Sequence, residues 1–272
     1  MWVQSRGELV RFADSELKLT SHRRRAAGQP SLDRIATELF ALFQAREAEF
    51  GFNPQVFVEY PELGAPETSP LLLDPSVYID RRIAALEQAG DPIGRIVILT
   101  TFGDKLAAPL AAAGYRMTRI DMPAGPDFTC YFEKDRAVRR PGRTLYVEAV
   151  NEADEKIRPS FALQLHDGRG ELRGGACGAV HDRDGARFCY LSTMTLDTGL
   201  PPGTGRKLGE ALIDFLRMEG VGTIHLGTQT AGPFYEKLGF STVHRVVPDL
   251  RVRRADNGSV ALTDLVMMER VI

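Results

Sequence analysis

Residues 187–240 read RFCYLSTMTLDTGLPPGTGRKLGEALIDFLRMEGVGTIHLGTQTAGPFYEKLGF. Four elements follow one another in this stretch. An apolar, β-rich run covers Phe188 to Leu196, and a turn rich in Gly and Pro covers Gly199 to Gly205. An amphipathic helix then spans Arg206 to about Glu219 and a short β run Thr223 to Gly227, before a second helix stops at Leu238-Gly239-Phe240. Strand, glycine turn and helix in that order suit an anion. Gly203 and Gly205 let backbone N–H groups approach a ligand, and the helix N-terminus adds the positive end of its dipole. Arg206 and Lys207 place fixed charge beside it. An ordinary β–α turn that uses glycine only for geometry carries the same local signature.

The loop Leu200-Pro201-Pro202-Gly203-Thr204-Gly205 and the segment Ala231-Gly232-Pro233-Phe234-Tyr235-Glu236-Lys237-Leu238-Gly239-Phe240 together narrow the choice. In this order they resemble the GNAT superfamily, the acyl-CoA-dependent N-acyltransferases. That family carries a Gln/Arg-x-x-Gly-x-Gly/Ala loop after a strand, then an Ala-x-x-Phe-Tyr-x-x-x-Gly-Phe helix. The loop glycines match, Leu200 replaces the Gln or Arg, and the later helix matches throughout. The resemblance covers about half the chain. It implies an α/β (α+β) fold, a mixed, mostly antiparallel sheet flanked by helices. It also implies acetyl-CoA or another acyl-CoA, held where two neighbouring parallel strands splay apart.

Composition limits the alternatives. The 272 residues allow one large domain or two small ones. A hydrophobic content of 43% and a charged content of 26% suit a globular chain with a core. A net charge of −2 gives no bulk electrostatic reason to expect nucleic acid or an anionic membrane surface. No apolar run approaches the roughly 18–20 residues that span a bilayer, and the N-terminus MWVQSRGELVRF lacks an apolar signal core. The three cysteines, Cys130, Cys177 and Cys189, show no metal-ligand spacing, and Cys177 and Cys189, in apolar β runs, suit buried thiols. The expectation is a cytoplasmic protein with no membrane and no nucleic-acid partner.

Along the chain, residues 1–30 are polar and uneven, and the run Arg23-Arg24-Arg25 reads as a solvated loop or helix end, with a contact to a phosphate or an acidic acceptor as the alternative. Ser31 begins a helix whose Leu32, Ile35, Leu39, Leu42 and Phe43 recur at helical spacing. Strands are expected over Gln55–Tyr60, Arg95–Thr101, Tyr115–Met122 and Asp127–Glu133, with helices over Ser76–Ala89 and Lys105–Ala113. Lys134 to Gly142 reads as a linker, so two modules are expected, at 1–140 and 141–272. Strands over Thr144–Val150, Phe161–His166, Gly174–Val180, Thr242–Val247 and Ala261–Val271 complete the second half. Asp167-Gly168 and Asp184-Gly185 signal tight hairpins within it. The segments from Ala85 and from Phe215 share an order: helix end, glycine, apolar strand, Thr-bearing turn, short helix, and Ala-Gly-Tyr or Leu-Gly-Phe. That order reads as an internal repeat, in which the N-terminal half is a degenerate GNAT-like module without a Gly-x-Gly turn. Any αβαβ segment could share it by chance.

By the resemblance, backbone groups of Met194, Thr195 and Leu196 pair with the pantetheine arm. Gly203, Thr204, Gly205, Arg206 and Lys207 hold the pyrophosphate, Thr228 stands where the family often has Asn, and Phe234 packs against the coenzyme. Tyr235 matches the position that often protonates the departing thiolate, and a phenol near pKa 10 lies above a thiol near roughly 8.5. A packed aromatic is the plainer reading of Tyr235. A base must also take a proton from the amine. Many family members use a Glu on the strand before the loop, where this chain offers Tyr190, Ser192 and Thr193. His166, His181, Glu148 and Asp197 are alternatives. The leading expectation is an acyltransferase, in first place an acetyltransferase, acting on a small-molecule amine bound between the halves. The alternative is a module that binds acyl-CoA without turnover. A nucleotide hydrolase fits poorly, because no Gly-Lys-Ser/Thr closes the loop.

Overall fold

A computed structural model of the chain describes residues 4–12, 15–23, 30–47, 50–61, 70–100, 103–119, 130–136, 142–149, 159–183, 185–254 and 257–272. The chain divides into two compact units, each a sheet flanked by helices. Met1–Gly51, Glu155–Val243 and Val266–Ile272 make the first, and Phe52–Asp154 with His244–Leu265 the second.

The chain begins in the first unit with β1 (Gln4–Phe12), β2 (Ser15–Arg23) and α1 (Pro30–Glu47). There follow β3 (Gly51–Phe52), β4 (Val56–Glu59), α2 (Pro70–Leu73), α3 (Pro75–Gln88), β5 (Ile93–Thr100), α4 (Gly103–Ala112), β6 (Arg116–Arg119), β7 (Cys130–Asp135) and β8 (Arg143–Ala149). The chain returns to the first unit with β9 (Phe161–His166), β10 (Leu172–Arg183), β11 (Ala186–Leu196), α5 (Thr204–Met218), β12 (Thr223–Thr228) and α6 (Gly232–Lys237). β13 (Ser241–Arg254) and β14 (Val260–Val271) each contribute to both units.

The first unit's strands stand in the order β1-β2-β9-β10-β11-β12-β14. All neighbours are antiparallel except β11 and β12. Strand alternation sends Leu17, Leu19, Leu163, Leu165, Leu191, Ile224 and Leu226 to one face. There they bury Leu208, Leu212, Ile213 and Leu216 of α5. On the other face, Leu32, Ile35 and Leu39 of α1 close on Ala162 and Cys177. Leu32 and Leu39 are fully buried, each worth about 1.5–3 kcal/mol of transfer free energy.

Three expectations change here. The polar N-terminal stretch is a β-hairpin, with Gln4 opposite Arg23 and Phe12 opposite Ser15. Its Arg23 lies 5.1 Å over the Phe215 ring and 2.8 Å from Glu219, so it serves packing rather than a phosphate; Arg24 and Arg25 lie outside the described residues. The units are also discontinuous, whereas the linker reading expects a division near residue 140. Strand pairing is the reason: β2 pairs with β9, and β8 pairs with β4 and β5. The described part of the supposed linker is tied down as well, with Lys134 donating to the Ala113 carbonyl and the Arg136 amide to that of Gly94 at 2.7 Å. The Asp167 hairpin is wider than a two-residue turn. Asp167 accepts from the amides of Arg169 and Glu171, and the positive φ falls on Gly170.

The second unit has the strand order β4-β8-β5-β7-β6. β4, β8 and β5 run parallel, and β7 and β6 are antiparallel additions. Ile79, Ile83, Ile96, Ile98, Leu106, Leu110, Phe132 and Leu145 form its core. The succession of a parallel pair followed by an antiparallel strand occurs in both units, as β11-β12-β14 and as β8-β5-β7. Two differences separate them. β5 and β8 pair from Ile93↔Arg143 to Thr100↔Ala149, with a register shift between Ile93 and Arg95 but no parting of the strands among the described residues. The N-terminus of α3 is already occupied, because the Asp74 carboxylate accepts from the Val77 amide at 3.1 Å and Pro75 stands in the first turn.

Candidate active site

In the first unit, β11 and β12 pair from Phe188↔Thr223 to Leu191↔Leu226, and there their pairing ends. Both strands continue. β11 stays on β10 as far as Leu196↔Gly174, and β12 stays on β14 as far as Thr228↔Val266. The cause lies on β10, where Cys177 faces Thr193 but the next residue, Gly178, faces Leu191. Ser192 is therefore one residue too many, a β-bulge. A bulge bends its strand and increases the twist, which carries residues 192–196 away from β12. Among the described residues, no strand pairs with that edge of β11. The main-chain groups of Met194, Thr195 and Leu196 can then pair with an extended, strand-like ligand.

The glycine loop opens beside this gap. Gly203 caps α5 with φ 85°, a conformation that favours glycine, and no side chain caps the helix. Thr204 is turned inward, its amide and hydroxyl both donating to the Pro201 carbonyl at 3.2 and 2.7 Å. The Lys207 amide donates to the Gly203 carbonyl at 3.1 Å. Among the described residues, no backbone carbonyl accepts from the amides of Gly203, Gly205 and Arg206. Open space adjoins them: a Cβ on Gly203 would meet nothing within 4 Å. A Cβ on Gly205 would lie 3.2 Å from Leu196 and 3.3 Å from the Phe234 ring. That contact brings three predicted residues of β11, the loop and α6 to one place. The Arg206 guanidinium pairs with Glu210 at 2.8 Å, so its amide rather than its side chain is directed by the fold. Donors, dipole and open space together fit a diphosphate.

α6 ends in a Schellman motif. Phe240 N–H donates to the Tyr235 carbonyl at 3.0 Å, Gly239 N–H to that of Glu236 at 2.9 Å, and Gly239 has φ 81°. The Leu-Gly-Phe ending is thus the helix stop itself. Tyr235 is 7% exposed, its ring edge-on to Phe234 at 5.1 Å and Phe240 at 5.5 Å. Burial in this apolar setting pushes the phenol far above its ordinary value, so it keeps its proton at any working pH. The Thr228 oxygen accepts from the Ala231 amide at 3.1 Å and shapes the turn into α6.

The four candidate bases are dispersed. Glu148 belongs to the second unit, where it accepts from Tyr146 at 3.4 Å. Asp197 is held by Arg173 at 2.9 Å. His181 stacks on Phe188 at 5.0 Å, and burial lowers its pKa against a smaller opposing effect of Asp182. His166 lies on β9, away from the gap. A further histidine was missed from the sequence. His225 precedes the last paired rung of β12, on the face opposite α5, since its neighbours Ile224 and Leu226 point into the core. Its Nδ1 lies 3.9 Å from Glu269 Oε2. Its register partner on β11 is Tyr190, whose hydroxyl would be 3.8 Å from a Cβ on Gly227. No spacing rule joins residues 190, 225 and 269; only the strand register does.

No protein-family model and no curated protein matches this sequence. Among solved structures, the chain is similar to acetyltransferases. The ribosomal-protein-S18-alanine N-acetyltransferase from Escherichia coli is 25% identical over 44% of this chain and 71% of its own, at a TM-score of 0.31. The acetyltransferase of the GNAT family from Streptococcus pneumoniae is 18% identical over 44% and 70%, at 0.32. The IAA acetyltransferase from Bacillus cereus is 16% identical over 43% and 79%, at 0.33. At TM-scores this low, the functional reading rests on the strand gap and the loop. Among the described residues, no helix is long and apolar enough to cross a membrane, and no group of three His, Cys, Asp or Glu could hold a metal ion.

Proposed function

We propose that the first unit is an acyl-CoA-dependent N-acyltransferase, with acetyl-CoA as the first donor to test and a small-molecule amine as acceptor. The single observation that carries this is the parting of β11 and β12 after Leu191 and Leu226, beside a helix N-terminus whose amides at Gly203, Gly205 and Arg206 meet no backbone acceptor among the described residues. Bound there, the coenzyme would supply an acyl group on a good leaving thiolate. Gly203, Gly205 and Arg206 would hold its diphosphate through main-chain donors, and the edge of β11 at Met194 to Leu196 would align its arm. Tyr235, protonated throughout, would give its proton to the leaving sulfur. His225, backed by Glu269, would take the proton of the amine on the opposite face of the sheet. The second unit would be a degenerate module without coenzyme, a role supported by its zipped β5–β8 pair and by Asp74 at the α3 N-terminus.

One observation favours binding without turnover: the Tyr235 phenol is enclosed by aromatic rings. Melting the full chain with acetyl-CoA separates the readings. At about 100 times Kd the coenzyme should add about 2.7 kcal/mol of stability. A shift without thiol release against a panel of amines selects the binding module. No shift at millimolar acetyl-CoA removes both.

A further inference from the structure

The pair β2–β9 has two unlike faces. One is hydrocarbon, with Leu17, Leu19, Leu163 and Leu165 in the core beneath α5. The other, on the α1 side, carries Lys18, Thr20 and His22 from β2 and Gln164 and His166 from β9. Lys18 lies opposite His166, and Thr20 opposite Gln164. These side chains line a cavity of about 520 Å³, within the range that takes a small organic ligand. It lies on the opposite sheet face from α5 and its glycine loop, so it is not the diphosphate cradle.

Its charge is one-sided. Lys18, His22 and His166 can each carry a positive charge. Among the described residues of the lining the one acid is Asp167, already committed to the amides of Arg169 and Glu171 and to the Arg173 guanidinium at 3.3 Å. Those bonds outweigh its desolvation and hold its carboxyl below the usual range. Gln164 and Thr20 add neutral hydrogen-bonding groups. We infer that this cavity binds the anionic group of a small ligand, a carboxylate or a phosphate-like oxyanion, between Lys18, His22 and His166. The inference stands apart from the acyl-transfer reading.

Affinity must then rise as pH falls. The groups facing the histidines support that sign. From β1, the register partners of Lys18, Thr20 and His22 are Leu9, Gly7 and Ser5, none of which titrates. From β10, the partners of His166, Gln164 and Ala162 are Leu172, Gly175 and Cys177, and burial pushes the Cys177 thiol up to about 11. On α1, Arg34 and Glu38 pair with each other at 2.9 Å. Burial lowers the His22 pKa, the Gln164 hydrogen bond raises it, and His166 lowers it further. An anion between the two rings opposes both lowering effects.

The test follows the histidine Cε1–H resonances of the full chain by NMR. Their assignment comes from His22→Gln and His166→Gln. Sodium sulfate and sodium acetate, of fixed charge above about pH 6, are titrated separately at constant ionic strength. Both signals should shift saturably. The Kd should weaken at least about tenfold between about pH 6 and about pH 8. Lys18→Met, an exposed position that leaves the fold intact, should weaken binding about tenfold. The tighter of the two salts identifies the ligand chemistry. Shifts that stay linear and follow ionic strength alone, or saturable binding unchanged in Lys18→Met, overturn the inference.

Discussion

Replacing Gly203 by Ala isolates the glycine loop from the rest of the fold. The position has φ 85°, and a Cβ there meets nothing within 4 Å. The cost to folding is therefore the left-handed backbone alone, about 1–2 kcal/mol for a residue with a Cβ. For a domain of this size that lowers Tm by about 2–8 °C. The effect on acetyl-CoA should be larger than its stability cost suggests. Alanine pulls φ toward negative values and turns the first-turn amides away from their common focus. Losing one charge-assisted hydrogen bond, net about 1.5–3 kcal/mol, weakens Kd about 10- to 150-fold. Calorimetric titration of wild type and variant gives Kd, and scanning calorimetry gives the stability term separately. If Tm falls as expected but Kd moves less than about twofold, the amides hold no diphosphate and the loop is only a strand–helix connection.

Tyr235→Phe should leave stability and acetyl-CoA affinity nearly unchanged, because the hydroxyl lies in an apolar setting, while turnover falls about 100-fold or more; equal loss of affinity and turnover would assign the ring to packing. Gly209→Ala should cost about 1–3 kcal/mol, since its Cβ would land 2.4 Å from a Leu238 methyl; denaturant melts should show Leu238→Ala partly relieving it, and simple additivity would contradict the close approach. Asp264 accepts two hydrogen bonds from Arg245, at 2.5 and 2.9 Å, and a third from the Asp249 amide; desolvation would raise its pKa, but these bonds hold it below the ordinary carboxylate value. The stability it contributes is therefore present above about pH 4 and lost as pH falls through the depressed value. Asp264→Asn should flatten the acid limb of unfolding free energy against pH, and an unchanged limb would refute the assignment.

What could be read from the sequence was what carries its own punctuation. β11, α5, β12 and α6 each begin or end at a glycine or proline with a defined conformational task. Gly239 and Gly114 are one example: both close Schellman motifs, with Phe240 N–H donating to the Tyr235 carbonyl and Tyr115 N–H to that of Leu110. Part of the likeness between the two halves therefore reflects a shared way of stopping a helix. β1 and β2 lacked such marks. Lys18, Thr20 and His22 alternate with only two leucines, and a strand with one polar face resembles a solvated segment. The discontinuous units were hidden for a different reason. Gly94 and Gly142 meet so closely that a Cβ on Gly142 would lie 2.3 Å from the Gly94 nitrogen. Pro141-Gly142 in sequence signals a linker, and only the partner backbone explains the glycine. The gap itself depends on a one-residue bulge at Ser192, which no residue type announces, and His225 reaches Glu269 only through strand register.

The pairing of β2 with β9 has a consequence for synthesis. The N-terminal hairpin leaves the ribosome well before the strand it must join. At roughly 5–20 residues per second, the intervening segment of about 140 residues takes about 7–28 seconds to translate. For that interval the outer edge of β2 has no partner strand. A nascent chain stalled within the second unit should accordingly recruit chaperones or self-associate through this edge, and one stalled beyond β10 should not.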